Sequence, residues 1–370
     1  MENKTRRRNI SKPEINTENF INSEINETLQ TNFVKRTLLT ILMIGLFIFI
    51  SSCNVICLIS LVIILGILIL KEVIEISKTN QGYPSSVYII FGFSSIIYIY
   101  FLSDALAFEY PAIVKGLKIF RQIYFYAYLF ILILFVCSLK AGKLKKQFAL
   151  FSLIHLISYL IGICCRSAIR NINIGKFWLF FPSTLVICND IFSYIVGKSI
   201  GSTPLFRLSP KKTVEGFIGG FVFTAIYGFL FCYAHFRYCI LSDTYINELR
   251  GLIYFKIYKW SIGVPSIYIH CSLFVLVASF VAPFSGFFAS AFKRAYNKKD
   301  FGNSIPGHGG ITDRFDCQCI MVVFTTVYLK SFLKTKEQSL ASTFYYIINL
   351  FDREEIEVLT NMLQKYLRNE

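Results

Sequence analysis

The sequence predicts an all-α polytopic membrane protein with eight or nine transmembrane helices. Three observations lead there. The 370 residues are 55% apolar and only 16% charged, where an average soluble domain carries roughly 25% charged residues. The apolar excess is gathered in runs of 16 to 23 residues, close to the ~20 residues a helix needs to cross a bilayer core. The charges that remain crowd into short loops between those runs.

Taken in order, residues 1–33 are polar, mixed in charge and without an apolar signal-peptide core. They read as a disordered cytoplasmic tail, with the first membrane helix serving as an uncleaved anchor. The transmembrane domain is expected over residues 34–335. Residues 38–70 are too long for one span and too short for two long ones, and Ser51-Ser52-Cys53-Asn54 interrupts them. This predicts a tight helical hairpin whose second arm runs on towards Ile76. Further spans are expected at 87–106, 123–139, 148–165, 177–196, 217–236, 268–288 and 317–332, the last being the shortest. Residues 336–370 form a polar tail with apolar positions near helical spacing, among them Ile356, Leu359 and Leu363.

Lysine and arginine are distributed unevenly along this layout. With the N-terminal tail in the cytoplasm, that side carries 22 of them and the other side 16, the direction of the positive-inside bias. Loops 197–213 and 290–317 then face the same compartment. The formal net charge of +16 does not argue for nucleic acid, because the basic residues sit in short interhelical loops. Topology and anionic lipid or nucleotide account for them better. Most of the 11 cysteines lie inside apolar runs, where a thiol is a small lipophilic group. Cys317 and Cys319 have no second ligand pair at zinc spacing. His155, His235 and His270 read as packing residues. The absence of GxSxG, HExxH and P-loop motifs argues against hydrolase, zinc-protease and Walker-type ATPase functions.

The densest chemistry lies in residues 290–316, SAFKRAYNKKDFGNSIPGHGGITDRFD. Five cations (Lys293, Arg294, Lys298, Lys299, Arg314) and three carboxylates (Asp300, Asp313, Asp316) share this segment. Carboxylates without a histidine or cysteine cluster suit a hard, oxygen-seeking ion such as Mg²⁺. Helix capping is the plainer use of an isolated aspartate. Five cations facing a metal site suit a polyphosphate. Glycines around His308 let the backbone approach a phosphate. A second cluster begins at CNDIFSY inside the 177–196 run, where Asn189 and Asp190 interrupt apolar sequence. A charge at mid-membrane costs about 2.5–3.5 kcal/mol on insertion scales and is rarely idle. Ser209-Pro210-Lys211-Lys212-Thr213 follows, offering hydroxyls and cations just ahead of a helix.

These two blocks resemble the phosphatidate cytidylyltransferase (CDP-diacylglycerol synthase) family. Its C-terminal motif is S-x-x-K-R-x₄-K-D, a glycine-rich H-G-G, then D-R-x-D. Every fixed position is met, by Ser290, Lys293, Arg294, Lys299, Asp300, His308, Gly309, Gly310, Asp313, Arg314 and Asp316. The stretch CNDIFSYIVGKSIGSTPLFRLSPKKTVEGFIGG is similar to the eukaryotic branch. Ser202 stands where relatives usually carry a basic residue, and Ala291 where glycine is common.

The resemblance implies a CDP-diacylglycerol-synthase-like helical fold and conversion of CTP and phosphatidic acid to CDP-diacylglycerol and pyrophosphate. It also implies Mg²⁺ (a second cation being an open option), a homodimer, and an endoplasmic reticulum location with the site facing the cytoplasm. On this reading Asp300 and Asp313 are the primary Mg²⁺ ligands, with Asp316 as a third or supporting group. Lys293, Arg294 and Lys299 neutralise phosphate, and His308, Gly309 and Gly310 form the phosphate-cradling turn. Ser290 and Arg314 complete the motif as substrate-binding groups. Asn189, Asp190, Ser209, Lys211, Lys212 and Thr213 close the pocket from the other side. Two alternatives stay open: a CTP-dependent polyprenol or lipid kinase, which would release CDP, and an ion-coupled transporter using Asp190.

Overall fold

The computed structural model describes residues 52–78, 84–109, 114–206, 209–238, 251–257, 260–304, 309–332 and 351–368, with a few isolated positions besides. The chain divides into two units, Met1–Ile48 and Phe49–Glu370; the elements below belong to the second.

The interruption at residues 51–54 is a turn. Ser52 N–H donates to Phe49 O (3.1 Å) and Cys53 N–H to Ile50 O (3.0 Å). Asn54 then accepts from Leu58 N–H (3.1 Å) and opens α1, Val55–Lys78, as a short polar residue at a helix start favours. The preceding arm of the expected hairpin lies mostly outside the described residues. Next come α2, Pro84–Glu109, and α3, Val114–Cys137.

Helix α4, Leu144–Ile174, has 31 residues and runs past the expected limit of 165. Hydropathy falls at Arg166, Arg170 and Asn171, but the helix persists, with Arg166 and Asn171 partnered on neighbouring helices. Arg166 pairs with Asp104 of α2 at 2.9 Å. Asn171 donates to Val322 O (3.0 Å) and accepts from Thr326 Oγ1 (2.9 Å).

Helices α5, Phe177–Ile200, and α6, Val214–Tyr238, pack at glycines. A Cβ on Gly220 would lie 2.0 Å from Ser193 Oγ and 2.9 Å from Asn189 Oδ1, and one on Gly216 2.6 Å from Ser193 O. Small residues let membrane helices approach this closely. Between α5 and α6 lies a hairpin of β1, Pro204–Phe206, and β2, Ser209–Thr213, antiparallel, with Pro204 opposite Thr213 and Phe206 opposite Ser209. A second hairpin joins β3, Leu252–Ile257, to β4, Trp260–Pro265. Both occupy stretches too short and too polar at their turns to register as spans.

One 30-residue span follows: α7, Ser266–Leu276, a π-helical turn, Val277–Val281, and α8, Ala282–Ala295. Pro283 has no N–H to donate to the turn before it, and the widened turn accommodates the missing bond. Helix α9 is Thr312–Phe332 and α10 is Arg353–Arg368. Among the described residues, six helices are long and apolar enough to cross a membrane: α1, α4, α5, α6, the α7–α8 span and α9. Shorter apolar segments at Gly92–Leu106 and Gln122–Cys137 lie within α2 and α3. The protein is a polytopic helical membrane protein.

Two aromatic cores fix the helices. Phe93, Phe135 and Phe151 meet between α2, α3 and α4, with Phe135 stacked on Phe151 at 4.5 Å. Phe177, Trp178, Phe181 and Phe274 bind α5 to α7, and Tyr328 brings in α9.

Candidate active site

The site is built where α8 ends, α9 begins and the segment between them folds back. Helix α8 stops at Ala295, and Asn297 takes φ 54, a left-handed residue of the kind that reverses a chain after a helix. Lys298 N–H bonds back to Lys293 O at 2.9 Å. The returning chain is fastened by Asp313. Its Oδ1 accepts from Lys293 Nζ at 2.5 Å, and its Oδ2 from the backbone N–H of Phe301 (2.9 Å) and Gly310 (3.0 Å). The Lys293 and Asp313 side chains are only 14% and 7% exposed, so this is a buried pair with both carboxylate oxygens used. Lys293 Nζ also lies 5.5 Å from the centroid of the Phe301 ring, and that ring stacks on Phe292.

A second carboxylate holds the same segment from the opposite side. Glu72, on α1, is 4% exposed. It accepts from Ile311 N–H (2.9 Å), Thr312 N–H (2.8 Å), Thr312 Oγ1 (2.7 Å) and Ser304 Oγ. A buried carboxylate is costly unless such bonds satisfy it, and here it also meets the positive end of α9. The glycines make room: a Cβ on Gly310 would stand 2.7 Å from Glu72 Oε2 and 2.8 Å from Gly302 N. Gly309, at φ +83, leaves space for the Asp300 carboxyl, whose carbon would be 3.1 Å from an added Cβ. Nothing in the motif pattern pointed to Glu72. The only sequence signal is a charged residue in the last third of an apolar run, in KEVIEISK.

The opposite wall comes from α5, β2 and α9. Asp190 and Asp316 lie within electrostatic range of one another and share Lys212, and Arg314 adds its charge to Asp190. Around Gly286, Asp316 Oδ2 and Lys212 Nζ come to 3.4 and 3.8 Å of where a Cβ would sit. The Lys212 ammonium lies over the Phe287 ring at 4.5 Å. Asp316 is steadied by Cys317 N–H on Oδ1 (2.7 Å), and its carbonyl accepts from Ser285 Oγ (2.6 Å). Asp190 is an exposed residue, although protein atoms crowd its carboxyl group. Asn189 is buried, and its Oδ1 has no hydrogen-bond donor.

The expected site residues therefore divide. Lys293, Asp300, Gly309, Gly310 and Asp313 come together in the folded-back segment. Asp190, Lys212 and Asp316 meet on the other wall. Arg294 closes the last turn of α8 and is exposed, as are Lys299 and Arg314. Ser290 lies one turn ahead of Lys293 on α8. Thr213 caps α6, its Oγ1 accepting from Gly216 N–H at 3.2 Å. Ser202 is occupied locally: with Thr203 it donates to Glu215, its N–H at 3.1 Å and Oγ at 2.9 Å. His308 and the side chains of Ser209 and Lys211 lie outside the described residues.

Among the described residues, no three His, Cys, Asp or Glu side chains gather into a complete metal cage. A Mg²⁺ ion does not require one, since it is held by one or two carboxylates with water and substrate phosphates. Asp190 and Asp316 supply that donor chemistry. Asp313 accepts three donors on its carboxylate within the protein.

The cytidylyltransferase family profile matches residues 34–332. The chain is 45% identical over 340 residues to "Phosphatidate cytidylyltransferase" of Encephalitozoon cuniculi, covering 91% of this chain and 86% of that one. It is 35% identical over 374 residues to the protein of that name from Saccharomyces cerevisiae, covering 91% and 81%. It is 33% identical over 371 residues to "Phosphatidate cytidylyltransferase 1" of Arabidopsis thaliana, covering 91% and 88%. With the matched region spanning every transmembrane helix described and both walls of the site, the chain belongs to the cytidylyltransferase family.

Proposed function

We propose that the protein condenses CTP with phosphatidic acid to give CDP-diacylglycerol and pyrophosphate. The observation that carries this reading is the pair of walls at one membrane-helix junction. One is the folded-back segment built on Lys293 and Asp313, and the other is the Asp190–Lys212–Asp316 cluster. A phosphate oxygen of phosphatidic acid attacks the α-phosphorus of CTP. The new P–O bond forms as the bond from the α-phosphorus to the bridging oxygen breaks, and pyrophosphate leaves with that electron pair. A phosphate monoester has a second pKa of about 6, so the nucleophile is already largely dianionic at neutral pH and needs no general base. The protein must bring two polyanions together in line and offset their charge.

The residues divide that work. Arg294, Lys299 and Arg314 line the approach to the triphosphate, and Lys293 fixes the segment that presents them. The resemblance makes His308, Gly309 and Gly310 the phosphate-cradling turn, although the Gly310 N–H is already given to Asp313. Lys212 lends its charge to both carboxylates. Asp190 and Asp316 would hold Mg²⁺, which when bound would offset the charge developing on the phosphates. The sequence reading put Asp300 and Asp313 first in that role. The three donors on Asp313 shift our proposal to the Asp190–Asp316 pair. Membrane embedding suits a lipid substrate and a lipid product. The charge bias supports a site on the cytoplasmic face, and the resemblance supports an endoplasmic reticulum location and a homodimer.

The test is product analysis with labelled CTP and phosphatidic acid in detergent. CDP-diacylglycerol and pyrophosphate are expected. Release of CDP with a phosphorylated lipid would instead place the protein among CTP-dependent lipid kinases.

A further inference from the structure

We infer that Glu72 is a positioning residue for the nucleotide-binding turn: planted on α1, its carboxylate fixes the chain on either side of that turn and so sets where the cations of the segment meet CTP. This rests on the reading proposed above.

Three observations support it. Glu72 is buried and accepts four bonds, three of them from Ile311 and Thr312 at the start of α9 and one from Ser304. Its partners therefore lie on both flanks of the turn. The bonds to Asp313 come from the adjacent Gly310 N–H and from Phe301 N–H, so the two carboxylates grip alternate points of one segment. Apolar packing repeats the contact: Val73 and Ile76, beside Glu72 on α1, bury Phe301 together with Ala289.

The arrangement also says what the turn does not do. The N–H groups of Ile311 and Thr312, a helix N-terminus of the kind that binds phosphate, are already filled by an internal anion. The phosphates must meet the side-chain cations instead. Glu72 touches no reacting atom on this account; it acts through the turn.

Substitution separates this role from simple space-filling. Glu72→Gln keeps the volume, loses the charge and turns an amide NH₂ towards N–H donors. Glu72→Asp keeps the anion and loses a methylene. Positioning predicts that Glu72→Gln loses about 100-fold in kcat/KM for CTP, the cost of misplacing a reacting group by about 1 Å. KM for CTP rises while KM for phosphatidic acid stays unchanged, and Glu72→Asp is the more active of the two. Amide hydrogen exchange over residues 309–313, measured without substrate, is expected to speed up in Glu72→Gln. Wild-type kinetics and exchange in Glu72→Gln would overturn the inference, as would Glu72→Asp being the more damaged variant. If Glu72→Gln does not accumulate, Ser304→Ala combined with Thr312→Val removes two donors and leaves the carboxylate. The same pattern at smaller size supports the inference, and no change in KM for CTP or in exchange refutes it. Failure of the wild-type protein to form CDP-diacylglycerol would remove the proposed reaction. The exchange result would still decide whether Glu72 holds the turn.

Discussion

At the scale of single residues, Asp313 and Lys293 do more than their motif suggests. Their pair is buried, and three donors converge on one carboxylate. Asp313→Asn leaves Lys293 without its counter-charge and sets an amide NH₂ against either the Lys293 ammonium or the two backbone N–H groups. Breaking a buried pair in this way costs about 3–5 kcal/mol. We expect Asp313→Asn to reach the membrane but to lose at least about 100-fold in turnover, read by CDP-diacylglycerol formation and by thermal stability in detergent. Wild-type turnover would remove Asp313 from the site. Lys212→Met tests the other wall. Losing a cation aimed at developing charge is expected to lower kcat by about 10²–10³-fold, with little change in melting temperature because, among the described residues, Lys212 makes no buried ion pair comparable to Lys293–Asp313. Motif spacing brought both clusters into view, because charge is scarce in this chain and stands out. It could not show that Asp313 is spent on backbone N–H groups, since that depends on how the turn folds back. Glu72 escaped notice because its partners lie more than 230 positions away.

At the scale of elements, the α5–α6 contact places Asn189 and Asp190 in the wall, and glycine sets how close the helices come. Gly220→Ala drives a methyl into Ser193 Oγ and Asn189 Oδ1. Overpacking of this kind costs about 1–3 kcal/mol, so a lower melting temperature is expected. Adding Ser193→Ala removes the nearer clash, and the double variant is expected to recover part of the loss, a non-additivity that marks direct contact. A strictly additive result would refute the contact. The central spans were legible because the apolar run is the direct expression of the bilayer constraint. Their ends were not. Helix α4 outruns its apolar stretch because Arg166 and Asn171 find partners on α2 and α9, and α9 begins at Thr312 because Glu72 and Asp313 cap it. Polar residues that are satisfied by another helix look like span ends in sequence. The two β-hairpins left no signal, being short and lying in stretches that read as loops.

At the scale of the whole molecule, the protein is a set of membrane helices that brings two charged walls to one junction, as an enzyme with a lipid substrate requires. The proposed Mg²⁺ site at Asp190 and Asp316 predicts a metal requirement. Chelation with EDTA is expected to abolish activity and added Mg²⁺ to restore it, whereas full activity in EDTA would exclude Asp190 and Asp316 as ion ligands. The family assignment, the helical membrane fold and the two motif blocks were all within reach of the sequence. The pairing of Asp190 with Asp316 was not, because it depends on how α5 and α9 pack. The most direct test of the central claim is one reaction: purified protein, Mg²⁺, phosphatidic acid and CTP labelled at the α-phosphorus. The label is expected to move into lipid as CDP-diacylglycerol, with stoichiometric pyrophosphate. Label recovered only as soluble CDP, or an absolute lack of lipid labelling, would contradict it.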